Sequence, residues 1–362
     1  MNKRVLVISN MYPSRKNPTY GIFVRNQVEA LKEKGMSIDI AVNRDNRGGK
    51  FHLLKKYLIW MLKILIKLLT NGRSYDVIHA HYIFPSGLPA LLFKKLFKTK
   101  LVVTSHGGDL DQMAKKNPWI RKMTKKIMEK ADEVIVVGEA LKDEVVGEFH
   151  IRPDKVSVIN MGVDRSVFRP VDAGEMKDEL GLSRDRKHVL FVGNHIKAKG
   201  LQELLEAFQS LNKQRGDMEL HYIGSVKDEN FLDFLKRSVH PDQKAHVHFH
   251  GTKSQADLAK WTAAADVFAL PSYIEGFGLV ALEAMSCHTP VVASNVGGLT
   301  YLLKDGAGIL VEPKSAESLE AGLKQMVEDE LGRKRMIDKG EEIAAQNDTD
   351  ILLDKIIALY NK

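Results

Sequence analysis

The chain has a single cysteine, Cys287, in 362 residues, so it forms no intrachain disulfide and no cysteine-based zinc cluster, and it suits a reducing compartment. Only 11 prolines and 7% aromatic residues accompany 44% hydrophobic and 28% charged residues, which excludes collagen-like, low-complexity and disordered classes. Long apolar runs are also missing. The opening MNKRVLVISNMYPS has too short an apolar run for the core of a signal peptide, so the sequence reads as cytosolic. No GxGxxG follows the first strand pattern of either half, which disfavours a nicotinamide-dependent oxidoreductase, and no internal repeat is evident.

What is present divides in two. The length suits two domains of about 180 residues each. The net charge of +8 is uneven: residues 1–165 hold 30 Lys+Arg against 16 Asp+Glu, whereas 166–362 hold 24 against 30. A basic half of +14 is thus joined to an acidic half of −6. The join falls in MGVDRSVFRPVDAG, 161–174, which lacks periodicity and reads as a hinge. The domains expected are 1–165 and 166–362, with a final helix over about 350–362 packing back on the first.

Most of the basic excess lies in residues 50–130, with 17 basic and 4 acidic side chains. Within it, Lys50 to Leu69 (KFHLLKKYLIWMLKILIKLL) reads as a helix on which His52, Lys56, Lys63 and Lys67 form a narrow stripe and nearly all else is apolar. Lysines recur too often for it to span a bilayer. A second stretch, Lys115 to Lys130, sets Trp119, Ile120, Met123, Ile127 and Met128 among seven basic residues. Lys, Trp and bulky aliphatic residues together suit an interfacial helix on an anionic membrane, with Lys56, Trp60, Lys63, Lys67 and Trp119 as contacts. The plainer alternative is two helices covering a sheet with their lysines in solvent. Nucleic acid is disfavoured because no reader motif accompanies the charge.

Short apolar runs alternate with helical patterns throughout, the signature of parallel βαβ units. Six candidate strands fall in each half, at 4–10, 37–43, 76–81, 100–106, 133–138 and 156–160, then at 188–194, 219–224, 247–251, 267–272, 290–294 and 307–312. The α/β class follows, with two Rossmann-like, doubly wound sheets expected to face an interdomain cleft. In such sheets ligands bind beyond the carboxyl ends of the strands, so the loops after the strands matter most.

The most specific segment is PSYIEGFGLVALEAMSCHTPVVASNVGG, 271–298. Glu275 and the Gly276-Phe277-Gly278-Leu279 run open a helix that carries Glu283. Glycines at a helix start leave backbone N–H groups free, and the helix dipole adds positive potential, which suits a diphosphate. Glu283, about 12 Å along, can accept two hydrogen bonds from a ribose diol. The segment EGFGLVALE resembles the Glu-x7-Glu motif of family 4 glycosyltransferases, retaining enzymes of the GT-B fold. The likeness continues in order through FVGNHIKAKGLQELLEAF (191–208), GTKSQADLAKWTAAADVFALPS (251–272) and VINMGVDRSVFRP (158–170). The early blocks NMYPSRKNPTYGIFVRNQVEAL, HAHYIFPSG and TSHGGDL are similar to bacterial members that build surface polysaccharides of the teichuronic acid or capsule type.

The resemblance implies roles residue by residue. Lys199 matches the cation that neutralises the leaving diphosphate, Glu275 the glutamate near the transferred sugar, and His106 the histidine near the anomeric centre. Glu283 matches the ribose ligand; Phe277, Gly278 and Leu279 would offer amides; Gly21 would bring its amide to phosphate; Thr252 lies in the base-binding region. Asn194 stands where the family has a second cation, an arginine, and Lys197 or Arg25 are the residues that could replace it. Asp109 and His81 are assigned to the acceptor side. His288 stands where the family's Ala-Cys-Gly-Thr-Pro stretch has glycine, which puts the form of that turn in question.

His246, His248 and His250 share one face of a strand, but with no carboxylate or cysteine set apparent they do not make a metal site. Cys287 has no neighbouring base and reads as structural. The expected function is a metal-independent, cofactor-free retaining transfer of a sugar from a nucleotide diphosphate, taken to be UDP. The expected acceptor is a lipid-linked or polysaccharide glycan at the inner face of the cell membrane. The alternatives are a GT-B-like nucleotide-sugar epimerase and a non-catalytic sugar-nucleotide-binding subunit.

Overall fold

The computed structural model describes residues 3–18, 20–115 and 117–362, and in it the twelve apolar runs are twelve strands. Thr19 and Lys116, which belong to two of the segments singled out above, lie outside the described residues. The chain divides into two units: the segment ending at Met161 together with Asp350–Lys362, and Gly162–Thr349. Residues 162–349 keep a net −6 and the other unit +14, so the charge division survives the shift of the boundary and the return of the tail.

The first unit holds β1 (Arg4–Ser9), β2 (Ser37–Val42), β3 (Val77–His81), β4 (Lys100–Ser105), β5 (Glu133–Val136) and β6 (Val156–Val158), all parallel, in the order β2-β1-β3-β4-β5-β6. β1 pairs Val5 with Ile38 on one side and Val77 on the other. Central strands covered on both faces need continuous apolar runs, and Val5 to Ile8 are fully buried accordingly. The closing helix Thr349–Asn361 buries Leu352, Leu353, Ile356, Leu359 and Tyr360 in the core that also holds Val5, Val24, Val77 and Val102. Its Tyr360 hydroxyl lies 2.6 Å from His79 Nδ1.

The second unit holds β7 (Lys187–Val192), β8 (Met218–Ile223), β9 (Val247–His250), β10 (Val267–Leu270), β11 (Val291–Ser294) and β12 (Ile309–Val311), in the order β12-β11-β10-β7-β8-β9, again all parallel. The segments entering and leaving this unit run side by side, with Val163 N donating to Asn347 O at 3.0 Å and Thr349 N to Val163 O at 3.1 Å.

Helix α1 (Ile22–Glu33) buries Val24, Gln27, Val28 and Leu31 against the first sheet. Helix α2 (Lys50–Asn71) is oriented contrary to the sequence reading. Trp60, expected at a membrane, is 2% exposed and its Nε1 donates to Ala41 O at 2.9 Å. Lys56 Nζ reaches the carbonyls of Asp45 and Arg47 at 3.1 and 3.0 Å, and Lys67 approaches Asp39 on β2 at 4.0 Å. Two members of the stripe, Lys56 and Lys67, thus turn toward the edge strand β2 and its loop, which offer carbonyl and carboxylate oxygens, while His52 and Lys63 stay exposed. The outward surface is largely apolar, with Phe51, Leu54, Leu58, Leu62, Ile66 and Leu69 each more than half exposed. Lys56, Trp60 and Lys67 are therefore not placed for membrane contact, while Lys55 and Lys63 stay exposed and Trp60, Ile64 and Leu68 are buried, so the plainer alternative holds in part. In the helix Pro118–Lys130, Ile127 and Met128 are fully buried while Trp119 stays 57% exposed, so that helix presents only part of its expected apolar face.

Candidate active site

Where a parallel sheet reverses its strand order, two neighbouring strands send their loops to opposite faces and leave a crevice at their carboxyl ends. In the second unit the reversal falls between β7 and β10. Their loops are laced together: Tyr273 N donates to Ala198 O at 2.9 Å, and a Cβ on Gly200 would lie 2.0 Å from Pro271 O. At this junction Lys199 Nζ donates to Glu275 Oε2 at 2.6 Å, and the Ser272 hydroxyl lies 3.4 Å from the same oxygen. Two predicted residues 76 positions apart are therefore brought into one half-buried ion pair.

The loop continues to Gly278, whose φ of 94° lies in the region that favours glycine, directly before the helix Leu279–Ser286. No side chain caps that helix, so its first amides are open to an outside acceptor. The approach is held from behind by a second glycine pair: Gly298 N donates to Glu275 O at 3.1 Å, and a Cβ on Gly297 would lie 2.2 Å from that oxygen. Phe277 packs on the core and Leu279 is half-buried. Glu283 sits on the same helix, and burial pushes its carboxyl up to about 8. Burial, then Glu283, pushes the Cys287 thiol up to about 12, which leaves it a poor nucleophile.

Asn194 and Lys197 are exposed on the loop after β7. The Ser225 hydroxyl donates to Asn194 Oδ1 at 2.5 Å, which engages Asn194 with the loop after β8. Among the described residues Lys197 has no ion-pair partner, and Arg25, on α1 of the other unit, is exposed. Thr252 is exposed in the extended segment after β9. The sequence reading passed over His195, which is 1% exposed in the same loop as Lys199, with both ring nitrogens unpartnered among the described residues. A single loop histidine carries no periodic signal that would single it out. His288, by contrast, keeps the turn that glycine would make, with φ 61°.

In the first unit the strand order reverses between β1 and β3. The β1 loop reaches α1 through Gly21, at φ 70°, where a Cβ would lie 2.7 Å from the Met11 carbonyl carbon. β3 ends at His81, and the next residue, Tyr82, is held at φ 65°, strain of the kind that gathers at functional sites. His81 Nδ1 lies 3.1 Å from His106 Nε2, and the rings of Phe23 and Tyr82 sit 4.7 and 4.9 Å from the His106 ring. Burial lowers both imidazoles, His81 to about 3, so both are neutral at physiological pH. Asp109 is wholly buried, accepting from Ile83 N and the Ser105 hydroxyl at 2.8 Å each, and burial pushes its carboxyl up to about 6. Neither Asp109 nor His81 exposes a side chain to solvent, so neither is placed to meet an acceptor directly; Asp109 splices the loops after β3 and β4 and His81 seats His106.

Of the histidines on β9, His248 has a carboxylate neighbour, Glu219, at 3.5 Å, but the converging group is a different one. Among the described residues, His188, Glu219 and His221 hold donor atoms within 4.8 Å of one another and are the ones that could hold a metal. The ring nitrogens already form a chain: His188 Nε2 lies 2.8 Å from Ser183 O, His188 Nδ1 3.0 Å from His221 Nε2, and His221 Nδ1 3.3 Å from His250 Nε2. His188 and Glu219 stand near the amino ends of β7 and β8, opposite the end that carries Lys199.

Comparison with known proteins follows this division. The model for Glycosyltransferase Family 4 matches residues 21–167, and that for Glycosyl transferases group 1 matches 172–343. The chain is 34% identical over 353 residues to a D-inositol 3-phosphate glycosyltransferase of Paenarthrobacter aurescens (strain TC1), covering 87% of this chain and 86% of that one. It is 26% identical, over 95% of both chains, to TuaC of Bacillus subtilis (strain 168), named as a candidate teichuronic acid biosynthesis glycosyltransferase. Among solved structures, Anabaena Alr3699/HepE in complex with UDP superposes with a TM-score of 0.80 at 18% identity, covering 99% of each chain. The same protein has been solved with UDP-glucose. Matched on both units by models of one enzyme group, and sharing a third of its residues with a relative over nearly full length, the chain belongs to the family 4 glycosyltransferases and has the GT-B fold.

Proposed function

We propose that this glycosyltransferase moves a sugar, with retention of configuration, from a UDP-sugar to a lipid-linked glycan acceptor at the inner face of the cell membrane. The observation that carries the reading is the Lys199–Glu275 pair at the β7/β10 reversal, beside the uncapped helix start at Gly278. When the bond between the sugar's C1 and the diphosphate breaks, negative charge builds on the departing phosphate, and a fixed ammonium and open amides stabilise it there. Glu275 accepts from sugar hydroxyls and Glu283 from the ribose diol. The acceptor hydroxyl forms the new C1–O bond on the face the diphosphate leaves, and its proton passes to the departing phosphate oxygen. Metal ions are given no part in this chemistry. Lys197 takes the place of the missing arginine. His106, neutral and packed between Phe23 and Tyr82, orients the sugar without carrying charge. The UDP and UDP-glucose complexes of the Anabaena protein support the donor class, and the teichuronic acid relative supports a surface-glycan acceptor.

No described helix is long and apolar enough to cross a membrane. Docking is assigned instead to the outward face of α2, whose exposed aliphatic side chains suit the boundary between headgroups and acyl chains, with Trp119 as a second contact. The test is nucleotide release from a panel of UDP-, GDP- and ADP-sugars, with and without lipid-linked acceptors. Acceptor-dependent release of UDP that falls about 100-fold or more in Lys199→Ala is expected. A donor-only incubation that returns an altered nucleotide sugar would assign the protein to epimerisation instead.

A further inference from the structure

Between the loops following β1 and β2 and the inner side of α2 lies a cavity of about 400 Å³. Five of its lining side chains are basic and one is acidic. The acidic one, Asp45, is neutralised by Arg47, which donates to both its oxygens at 2.9 and 2.8 Å and holds its carboxyl well below the usual range. Lys56 is spent on the carbonyls of Asp45 and Arg47. These contacts fix the loop and leave Lys16, Arg44 and Lys63 on the cavity wall, none with an ion-pair partner among the described residues. Arg44 lies over the Tyr12 ring at 5.4 Å, an arrangement that keeps its charge available.

A second observation points the same way. Asn43, on the same wall, is 5% exposed; its Oδ1 accepts from Asp45 N at 3.0 Å, whereas its Nδ2 has no partner among the described residues. A buried donor left unsatisfied is costly, and an anionic oxygen is the ligand that relieves it. The α2 wall sets Ile59 and Trp60 between Lys56 and Lys63. Ile59 is 47% exposed and borders Leu58 and Leu62, so this wall runs out onto the exposed face of the helix. Cations and an amide lining the cavity, with Ile59 leading from it to the exposed aliphatic surface of α2, match an amphiphile with an anionic head and a hydrocarbon tail.

We propose that this cavity binds the diphosphate of the acceptor's lipid carrier, with Lys16, Arg44, Lys63 and Asn43 on the phosphates and Ile59 with the α2 face along the first part of the chain. This deepens the assignment of a lipid-linked acceptor and rests on it. The cavity belongs to the first unit alone and shares no residue with the donor-binding loops of the second.

The experiment is calorimetric titration of the full chain, first with UDP and then, with UDP saturating, with farnesyl diphosphate, inorganic pyrophosphate and phosphatidylglycerol vesicles. Farnesyl diphosphate should bind at least tenfold more tightly than pyrophosphate. Arg44→Ala with Lys63→Ala should weaken farnesyl diphosphate at least tenfold while UDP affinity is unchanged. Asn43→Asp, which replaces the free donor with a charge of the wrong sign, should do the same in a chain whose thermal unfolding shows it folded. Equal affinity for farnesyl diphosphate and pyrophosphate overturns the lipid assignment, and farnesyl diphosphate binding that ignores all three substitutions overturns the site. Vesicle binding lost in the Arg44, Lys63 variant without loss of farnesyl diphosphate also overturns it, in favour of a headgroup contact. Failure of UDP to bind strikes the donor reading and leaves this one standing.

Discussion

Glu283 makes the stability of the second unit depend on pH. Its folded carboxyl titrates at about 8 against an ordinary 4.5, because burial penalises the charge. Below pH 4.5 both folded and unfolded forms keep the proton and nothing is lost. From there to about 8 the unfolded chain releases it while the folded one holds it, so stability falls as pH rises. Glu283→Gln should therefore raise the unfolding temperature at pH 7.5 but not at pH 4, by a few degrees for on the order of 2 kcal/mol, and should weaken UDP about tenfold. Calorimetry at the two pH values checks the first part and titration the second. His288 offers a residue-scale test free of function. It is held at φ 61°, so His288→Gly should stabilise by about 1 kcal/mol, provided its exposed contact with Glu341 contributes little. Urea denaturation measures this. Lys199 and Glu275 were legible in the sequence as members of separate motifs. Their 2.6 Å contact was not, because it depends on β7 and β10 becoming neighbours.

At the scale of elements, the strand pattern was readable almost in full. Parallel strands covered on both faces must be short continuous apolar runs, and all twelve runs fall on strands with ends displaced by at most two residues. Helix α2 was recognisable as a helix but not in its orientation. Periodicity separates two faces without saying which one meets the protein. Here the edge of β2 and its loop offered oxygens that take Lys56, Lys67 and the indole N–H, Ile64 and Leu68 are buried beside them, and the remaining aliphatic side chains are left outside. The consequence is that membrane docking, if carried by α2, should depend on its leucines more than on its lysines. Leu58→Glu with Leu62→Glu should abolish flotation with anionic liposomes, whereas Lys56→Ala with Lys67→Ala should reduce it only slightly and should lower stability instead. Flotation at low and high salt separates hydrophobic from Coulombic docking.

For the whole molecule, the closing helix is the informative part. It belongs to the first unit although the chain reaches it from the second, and it supplies Leu353 and Ile356 to a core shared with β1 and β3. Leu353→Ala should destabilise the first unit by about 2–5 kcal/mol and lower one of two calorimetric transitions, leaving the transition of residues 162–349 in place. A single transition shifted as a block would show that the units do not unfold separately.

Composition and pattern alone determined two α/β units, their twelve strands, the charge division between them and the loops that form the candidate site. These properties are local: strand runs, glycine at helix starts and charge per segment do not depend on what packs against them. Tertiary structure decided which side of α2 faces outward, that Asp109 and His81 are sealed behind His106, that Glu219 joins the histidines of β7 and β8, and that Asn43 and three free cations share one cavity. Each of these depends on the direction in which a side chain leaves an element and on what a distant segment places before it, and no spacing along the chain records that.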